Sequence, residues 1–517
     1  MTERHINPWL IAVSVMFATF MEVLDTTVVN VSLPHIAGSL SATIDEATWA
    51  LTSYLVANAI ILPMTGWLAS TFGRKRLIMA AVVGFTTSSF LCGLAPNLAS
   101  LIVFRIIQGA TGGVMQPLSQ AVLLEAFPPK DRGKAMGFWG LGIVVAPILG
   151  PVLGGWLTDT YSWRWVFYIN IPVGMASLIM TQLYIFDPPY LRAQGKRSVD
   201  YWGIGMLAVG IGALQYVLDK GQQDDWFESS MILFLAIVSA VCIIALIVHQ
   251  LTTKEPIVDL RVFKVRSYAV GVFLMTIVGF VMYGSMVLLP IMLQTLMGYP
   301  PLQAGIALAP RGIGSFFMMP LTGMMVGRFD ARKLLTAGLI IGGGTMLWLS
   351  VLNANAGYWD IFWPQVVQGA GMSLLFVPLT TIAMDAIPRE KMGYATSLFS
   401  LMRNIGGSIG IAVTGTLLAR HTQATSVLYS ANVTGLDATS QSLFYQMRGA
   451  FMASGADLAT ATQRAYAALS GMVRQQAAIV SFVGLFQFLG IVFLTVIPLV
   501  LLMKRPRASA GPGAAAH

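Results

Sequence analysis

The chain has 517 residues, of which 56% are hydrophobic and only 10% are charged. Because a soluble domain carries about a quarter charged residues, this composition excludes a soluble protein. The formal net charge of +9 would suit a nucleic acid. However, the basic residues stand in short segments between long apolar runs, a pattern typical of membrane topology, so we expect no nucleic-acid partner.

Apolar runs of about 20 residues recur along the chain, and a helix of that length crosses a hydrocarbon core roughly 30 Å thick. The spans must be helical, since lipid offers no partner for backbone groups. The first run is too long for a signal peptide and further runs follow it, so we expect it to be retained. The sequence predicts an all-α integral membrane protein with fourteen spans, at residues 9–33, 49–72, 77–95, 99–124, 135–157, 163–186, 201–218, 231–251, 268–296, 302–326, 334–352, 359–387, 394–418 and 478–503.

The loops between these spans indicate the topology. When alternate loops are assigned to opposite sides, 22 of the 31 Lys and Arg residues fall on one side and 6 on the other. The basic side is expected to be cytoplasmic. Both termini, residues 1–8 and 504–517, are then cytoplasmic, and the tail is expected to be disordered. The long connector at 420–476 is then external, either a solvated loop or one containing a short amphipathic helix, since its apolar residues recur every four positions at Leu443, Met447 and Phe451.

The two halves of the chain show a weak internal repeat. Residues 66–76 end the second span and residues 323–333 end the tenth, and both segments join a glycine-bearing helix end to a basic turn. If the tenth span is the second of its half, six-helix bundles at 9–187 and 268–503 flank a middle pair of spans at 201–252. Such a duplication is expected of secondary transporters.

Charged residues inside spans mark candidate functional positions, because each costs about 2.5–3.5 kcal/mol at the bilayer centre. Glu22 and Asp25 in the first span are three residues apart and therefore lie on one helical face. Two acids that close do not both ionise readily in a partly dry cavity, so one of them can carry a proton across the membrane. The alternative is a structural carboxylate satisfied by neighbouring helices.

Arg105 lies early in the fourth span, and Gln108 continues its face. Because an arginine keeps its proton in a protein, Arg105 must be paired or hydrated, and it can bias the acids of the first span. A snorkelling arginine at a helix end is the alternative. Arg311 and Arg403 are secondary intramembrane candidates.

The fifth span carries small residues at intervals of four, with two prolines among them. Small residues at this spacing let two helices approach closely, and each proline removes an internal hydrogen bond and permits a bend. We expect a packing and hinge element at Gly142, Ala146, Pro147, Gly150, Pro151 and Gly154, and a shorter seam in the thirteenth span at Gly406, Gly410 and Thr414.

The chain resembles the major facilitator superfamily, and within it the fourteen-span drug:proton antiporters of the EmrB/QacA type. This resemblance covers nearly all of the chain. It implies two six-helix bundles plus two additional central helices, and export rather than uptake, because residues 146–155 resemble the antiporter motif. The other segments that carry it are Leu-Asp-Thr-Thr-Val-Val-Asn-Val-Ser-Leu-Pro at 24–34, the turn at 66–76 and Arg-Ile-Ile-Gln-Gly at 105–109.

The resemblance also implies residue roles. Asp25 takes the place of the family's membrane-embedded acid, with Glu22 beside it, and Arg105 takes that of the proton-relay arginine. Ser70 replaces the usual acid of the gate loop, which puts a charge-relay latch at that turn in doubt. The gating loop implied at the cytoplasmic side contains Gly66, Gly73, Arg74 and Lys75, with Asp330 in the second-half copy.

The implied function is proton-coupled export of amphipathic drugs or other toxic small molecules across the inner membrane by alternating access. A periplasmic adaptor and an outer-membrane channel are the implied partners. No cofactor or metal is expected, since the proton-motive force supplies the energy and the chain has no P-loop motif. An importer on the same fold, a membrane enzyme and a ligand sensor are alternatives. The scattered histidines, with no nucleophile–base grouping, argue against the enzyme.

Overall fold

The computed structural model of the chain describes residues 7–187, 199–353, 356–433 and 437–503. The predicted C-terminal tail and most of the predicted N-terminal segment lie outside the described residues. The described part is helical and contains no strand, which confirms the all-α prediction. Its α-helices are α1 Pro8–Ser39, α2 Ile44–Ala47, α3 Trp49–Ile61, α4 Thr65–Phe72, α5 Arg74–Leu94, α6 Leu98–Gly112, α7 Met115–Ala126, α8 Arg132–Thr160, α9 Trp165–Tyr168, α10 Asn170–Tyr184, α11 Tyr201–Lys220, α12 Ser230–Thr252, α13 Arg266–Thr295, α14 Pro301–Val326, α15 Ala331–Leu349, α16 Tyr358–Asp385, α17 Met392–Asn432, α18 Ala438–Ala453, α19 Leu458–Thr495 and α20 Ile497–Val500.

Twelve helices in the described residues are long and apolar enough to cross a membrane. Some of them combine neighbouring helices, as in Ile44–Phe72 and Leu98–Ala126. Two further long helices, α15 and α17, occupy the positions of the eleventh and thirteenth predicted spans, and both are rich in glycine. The chain is thus a multi-pass membrane protein, and the count of fourteen spans remains a prediction that fits these helices.

The predicted small-residue seams are places of close helix contact. A Cβ atom added to Gly150 of α8 would lie 2.1 Å from Thr27 Oγ1 of α1, and one added to Gly406 of α17 would lie 2.1 Å from the carbonyl oxygen of Thr276 in α13. Only glycine permits such an approach. The contact of α17 with α13 therefore repeats that of α8 with α1. We call α1–α10 the first half, and α13–α17 with α19 the second half.

The middle helices α11 and α12 pack on each other, and α11 also contacts both halves. Gln215 Nε2 of α11 donates to Ser408 Oγ of α17 at 3.0 Å. Lys220 Nζ, at the end of α11, donates to Thr48 Oγ1 beside α3 at 3.0 Å. The middle pair therefore lies alongside the groove between the two halves.

The region predicted as an external connector is helical over most of its described length. Helix α17 continues for 41 residues, about 60 Å at 1.5 Å per residue, which is twice the hydrocarbon thickness. Helix α18 contains Leu443, Met447 and Phe451, which confirms the amphipathic-helix alternative. It packs on α19, where the rings of Phe444 and Tyr466 are 4.5 Å apart. Apolar runs mark only the part of a helix that lies in the membrane, so they do not show that the helix continues beyond it on Ala, Ser, Thr and Gln residues.

At one end of the bundle the two halves touch through glycines. A Cβ atom on Gly133 of α8 would lie 2.8 Å from the carbonyl oxygen of Gly323 in α14, and one on Gly323 would lie 2.6 Å from that of Gly133. A Cβ atom on Gly66 of α4 would lie 2.6 Å from the backbone nitrogen of Tyr394 in α17. We call these contacts the seam. We call this end the basic end, because Lys130, Arg328 and Lys391 lie in the adjoining connections and Lys134 lies in the first turn of α8.

Candidate functional site

A buried ion pair joins the first and fourth spans. Asp25 lies in α1 and Arg105 in α6, and Arg105 Nη1 donates to Asp25 Oδ2 at 2.5 Å. Neither side chain has exposed surface. The other oxygen of Asp25 accepts from Gln108 Nε2 at 2.9 Å and from Asn170 Nδ2 of α10 at 2.8 Å. The structure therefore brings Asp25, Arg105 and Gln108 together and adds Asn170.

Arg105 is held on several sides. Its Nε donates to the carbonyl oxygen of Ala50 at 2.9 Å, and its Nη1 also donates to Gln108 Oε1 at 2.8 Å. The ring of Tyr54 lies 4.2 Å from the guanidinium carbon. Breaking a buried ion pair by removing one partner costs about 3–5 kcal/mol. A proton on Asp25 would cancel the charge attraction that holds this arrangement.

Glu22 has different surroundings from Asp25, although both lie in α1. Its Oε1 accepts from Asn58 Nδ2 of α3 at 3.1 Å. Its Oε2 is buried without a hydrogen-bond partner among the described residues. Glu22 also lines a cavity between the two halves. The predicted acidic pair is thus divided between a sealed cluster around Asp25 and the cavity wall at Glu22.

The cavity consists of two adjoining chambers. The first has an empty volume of about 900 Å³, and its wall includes Glu22 and Arg403. The second has an empty volume of about 1090 Å³, and its wall includes Arg311. The residues common to both walls are Val23, Thr26, Gln116 and Tyr283.

The seam separates this cavity from the basic end. In α8 the seam glycine Gly133 precedes the cavity-lining residue Ile143, and in α14 the seam glycine Gly323 follows Arg311. Between the cavity and the seam, the rings of Trp139 and Phe376 from opposite halves stack at 6.1 Å. The structure therefore has the basic end closed.

The two secondary candidates both reach the cavity. Arg403 Nη2 donates to Gln116 Oε1 across the two halves. Arg311 donates from Nε to Gln365 Oε1 at 3.1 Å and from Nη2 to Gln368 Oε1 at 2.6 Å. Each guanidinium is therefore held by neutral amides rather than by a carboxylate within 4.0 Å, as far as the described residues show.

The predicted gating turn lies at the basic end of the first half. Gly73 has φ of 84°, a backbone conformation that favours glycine. Arg74 makes two hydrogen bonds of 2.6 Å to Glu125 of α7, and both side chains are at most 9% exposed. The backbone nitrogen of Lys75 donates to Asp187 Oδ1 at 2.9 Å. The turn is thus tied to α7 and to the end of α10.

The Glu125→Gln variant is expected to be less stable than the wild type by about 3–5 kcal/mol, because it leaves the Arg74 guanidinium buried without its carboxylate. Thermal unfolding of the purified protein measures this effect. Asp131→Asn is the matched control, since it removes an exposed ion pair with Lys134 of 2.8 Å, and such pairs contribute at most about 1 kcal/mol. Equal midpoints for the two variants would contradict the expectation.

The remaining gate residues have separate roles. Ser70 Oγ donates to the carbonyl oxygen of Trp67 at 2.8 Å, a bond within its own helix. Asp330 caps α15, where it accepts from the backbone nitrogen of Arg332 at 3.0 Å. Across the seam, Arg132 and Asp385 form an ion pair of 3.9 Å. This pair gives the basic end a charge contact between halves that does not involve position 70.

The predicted hinge element of α8 packs on α1 with one face and lines the cavity with another. A Cβ atom on Gly142 would lie 2.9 Å from the Met16 side chain, and one on Gly154 would lie 2.8 Å from the carbonyl oxygen of Val28. These glycines and the buried Ala146 pack on α1, the helix that carries the two acids. Pro147 and Pro151 line the second chamber instead. Helix α8 continues through both prolines, so the hinge remains a prediction.

Several site residues were not predicted from the sequence. Asn170, Tyr54 and Asn58 contact the charged residues, yet a single uncharged side chain within a span carries no pattern. Gln365 and Gln368 did carry a signal. The segment Gln-Val-Val-Gln-Gly at 365–369 repeats Arg-Ile-Ile-Gln-Gly at 105–109, which marks α16 as the second-half copy of α6.

Comparison with known proteins gives consistent results. The sequence model of the Major Facilitator Superfamily matches residues 15–411. The chain is 39% identical over 504 residues to the fatty acid resistance protein FarB of Neisseria gonorrhoeae, covering 97% of each chain. It is 40% identical over 452 residues to the multidrug export protein EmrB of Haemophilus influenzae, covering 85% of this chain and 86% of that protein. It is 36% identical over 509 residues to the EmrB of Escherichia coli K12, covering 98% of both.

Solved structures share the fold. The human organic anion transporter MFSD10 superimposes with a TM-score of 0.59 at 12% identity, covering 95% of this chain and all of that one. The proton:xylose symporter XylE superimposes with a TM-score of 0.59 at 18% identity, covering 81% of this chain and 90% of that one. At these identities the likeness shows the fold alone. With the family match over residues 15–411 and relatives 36–40% identical along most of their length, the chain belongs to the major facilitator superfamily, among its EmrB-type multidrug export proteins.

Proposed function

We propose that the protein exports amphipathic compounds from the cytoplasm in exchange for protons. The observation that carries this proposal is the fully buried Asp25–Arg105 ion pair. The helix that contains Asp25, α1, also lines the cavity. A carboxylate sealed in this way can take up a proton only when its cluster rearranges. The names of the relatives, multidrug export and fatty acid resistance, support export of amphipathic substrates.

The exchange would follow alternating access between the two halves. With the seam open, a compound enters the cavity from the basic end. With the seam closed, as in this structure, the compound leaves on the other side and Asp25 takes up a proton there. One elementary charge moving down 100 mV supplies about 2.3 kcal/mol, which sustains roughly a fifty-fold concentration gradient. The protein needs no cofactor for this exchange.

The location and partners are part of the same proposal. The protein lies in the inner membrane with both termini and the basic end in the cytoplasm, in accordance with the excess of Lys and Arg in those loops. Helices α17, α18 and α19 then extend into the periplasm, where they offer a surface for a periplasmic adaptor joined to an outer-membrane channel.

The test is flux in proteoliposomes with an acid lumen. Two permanently charged amphiphiles serve as probes, because neither crosses the bilayer by gaining or losing a proton: the cation ethidium and the anion dodecylsulfonate. For molecules oriented with the basic end outward, we expect uptake of probe into the lumen together with proton efflux. Protein-free liposomes are the control.

Two results would overturn the proposal. If neither probe moves and neither triggers proton movement, the protein is not an exporter of amphipathic compounds. If protons and probe move in the same direction across the membrane, the protein is a symporter, and the importer alternative is correct.

A further inference from the structure

The second half holds a guanidinium that has no counter-ion among the described residues. Arg311 of α14 donates from Nε and Nη2 to the amide oxygens of Gln365 and Gln368. Among the described residues, no group accepts a hydrogen bond from its Nη1, and no carboxylate lies within 4.0 Å of the guanidinium. The side chain is only partly buried and lines the second chamber of the cavity. Its third nitrogen is therefore available to a molecule in that chamber.

The internal repeat shows that this arrangement is a rearranged copy of the Asp25 cluster. A Cβ atom on Gly109 would lie 2.3 Å from the carbonyl oxygen of Tyr54, and one on Gly369 would lie 1.9 Å from that of Arg311. Arg311 thus takes the place of Tyr54. Since 365–369 repeats 105–109, Gln365 takes the place of Arg105. The guanidinium therefore belongs to the fourth membrane helix in the first half, as Arg105, and to the second membrane helix in the second half, as Arg311.

The acid of the first cluster has no counterpart in the second. Gln108 donates to Asp25 of α1, whereas Gln368 donates to Ser285 Oγ of α13 at 3.4 Å. Helices α13, α14, α15, α17 and α19 contain no Asp or Glu, and α16 has its two acids at its ends, Asp360 and Asp385. A charge inside the membrane normally has a partner. In this half the chain itself does not supply one.

The surroundings of Arg311 suit an amphipathic anion. The chamber wall beside it is formed largely by apolar side chains, and methionine thioethers adapt to ligands of varied shape. The amide nitrogen of Gln365 is buried without a partner among the described residues, but Gln365 does not line the chamber, so the donor that faces the chamber is the guanidinium of Arg311. The apolar part of the wall includes Ile143, Leu308, Met282, Met286 and Met372.

We infer that Arg311 is the anion-binding residue of the export cavity, and that its substrates include amphipathic carboxylates. The headgroup accepts a hydrogen bond from Arg311 Nη1, and the alkyl chain lies among the methionines of the second chamber. This inference rests on the proposed function, for which it names the substrate class. Because an arginine keeps its proton, this subsite remains cationic whichever protonation state Asp25 has.

The test is equilibrium binding of tritiated laurate to the purified full-length protein in dodecylmaltoside, with dodecyltrimethylammonium as a competitor of the same chain length and opposite charge. Partition into micelles is the same for every variant, so ratios of affinity are meaningful. Arg311→Gln should weaken laurate binding roughly ten- to hundredfold, as expected for losing a hydrogen bond to a charged group. Arg311→Lys should retain part of the affinity for laurate, because lysine keeps the positive charge but lacks the paired N–H donors of the guanidinium.

Two further variants distinguish a specific loss of laurate binding from a loss caused by misfolding of the Arg311→Gln protein. Gln365→Glu leaves Arg311 in place but gives it an internal carboxylate, and it should weaken laurate binding to a similar degree. Arg464→Gln removes an exposed arginine of α19 and should bind laurate like the wild type. Dodecyltrimethylammonium should compete poorly in every case. Arg403→Gln tests the other arginine of the cavity. Wild-type laurate affinity in both Arg311→Gln and Gln365→Glu would overturn the inference. A loss of laurate binding seen only in Arg403→Gln would overturn it as well.

The outcome is separable from that of the flux assay. If ethidium exchanges for protons while laurate binding is independent of Arg311, the export proposal stands and the anion site is wrong. If laurate binding requires Arg311 but neither flux probe moves, the anion site stands and the export proposal is wrong.

Discussion

In proteoliposomes with an acid lumen, the Asp25→Asn variant is expected to bind exported compounds but to lose proton-driven flux. The amide keeps the size of the side chain and can still contact Gln108 and Arg105, and the cavity wall is unchanged because Asp25 does not line it. Like Glu125→Gln, the variant leaves a buried guanidinium without its carboxylate, so its unfolding midpoint is also expected to be lower than that of the wild type. It cannot take up or release a proton at neutral pH. Because Asp25 is sealed from the cavity and held by three donors, no neighbouring water can substitute for it.

The measurement that isolates this step is proton release on substrate addition. Wild-type protein in a weakly buffered solution with a pH dye should release protons when ethidium or dodecylsulfonate binds, and Asp25→Asn should not. Glu22→Gln is the control, since it removes an acid from the same helix and from the cavity wall itself. We expect it to change substrate affinity but to retain proton release. Undiminished driven flux in Asp25→Asn would refute the assignment of Asp25.

The Gly66→Leu variant is expected to be inactive because it cannot close the basic end. A Cβ atom at this position would lie 2.6 Å from the nitrogen and 2.8 Å from the Cα of Tyr394. Both atoms belong to the backbone of α17, so no side chain can move aside to make room. The two halves can then separate at the seam but cannot meet again. The variant should fold, because the clash arises only in the closed state.

The accessibility of a cavity cysteine measures this effect. Thr26→Cys places a thiol in the wall of both chambers, in a background without Cys92 and Cys242. With Gly66→Leu, a membrane-impermeant maleimide should label it from the basic end and not from the opposite side. Gly344→Leu is the matched control, since a Cβ atom there meets nothing within 4 Å. Identical labelling of the two variants would show that the seam does not control access.

The sequence was sufficient for the fold class, because intramembrane helices must satisfy their own backbone and therefore show as apolar runs. It also drew attention to charged residues that the structure places together or at the cavity, since an acid or an arginine inside a span stands out against apolar neighbours. Asp25, Arg105 and Gln108 do lie together, and Arg311 and Arg403 do reach the cavity. The small-residue spacing of α8 predicted a close approach to another helix, and the structure shows that this helix is α1.

Three-dimensional pairing could not be derived in the same way. Glu22 and Asp25 are three residues apart, yet one contacts Asn58 and the other Asn170, which belong to different helices. A small rotation of α1 decides which side chain faces the cavity, and helical periodicity does not fix that angle. The uncharged partners Tyr54 and Asn170 were missed for the same reason, because their roles depend on the neighbours that tertiary packing gives them.

The length of α17 has a mechanical consequence. One uninterrupted helix runs from Arg403 in the cavity wall to Asn432 at its far end, a distance of about 44 Å along its axis. Any tilt of the second half therefore displaces the far tip of α17 more than it displaces the cavity wall. A tilt too small to notice beside the bound compound would shift this tip by several ångströms, so that a protein attached there would move in step with each turnover.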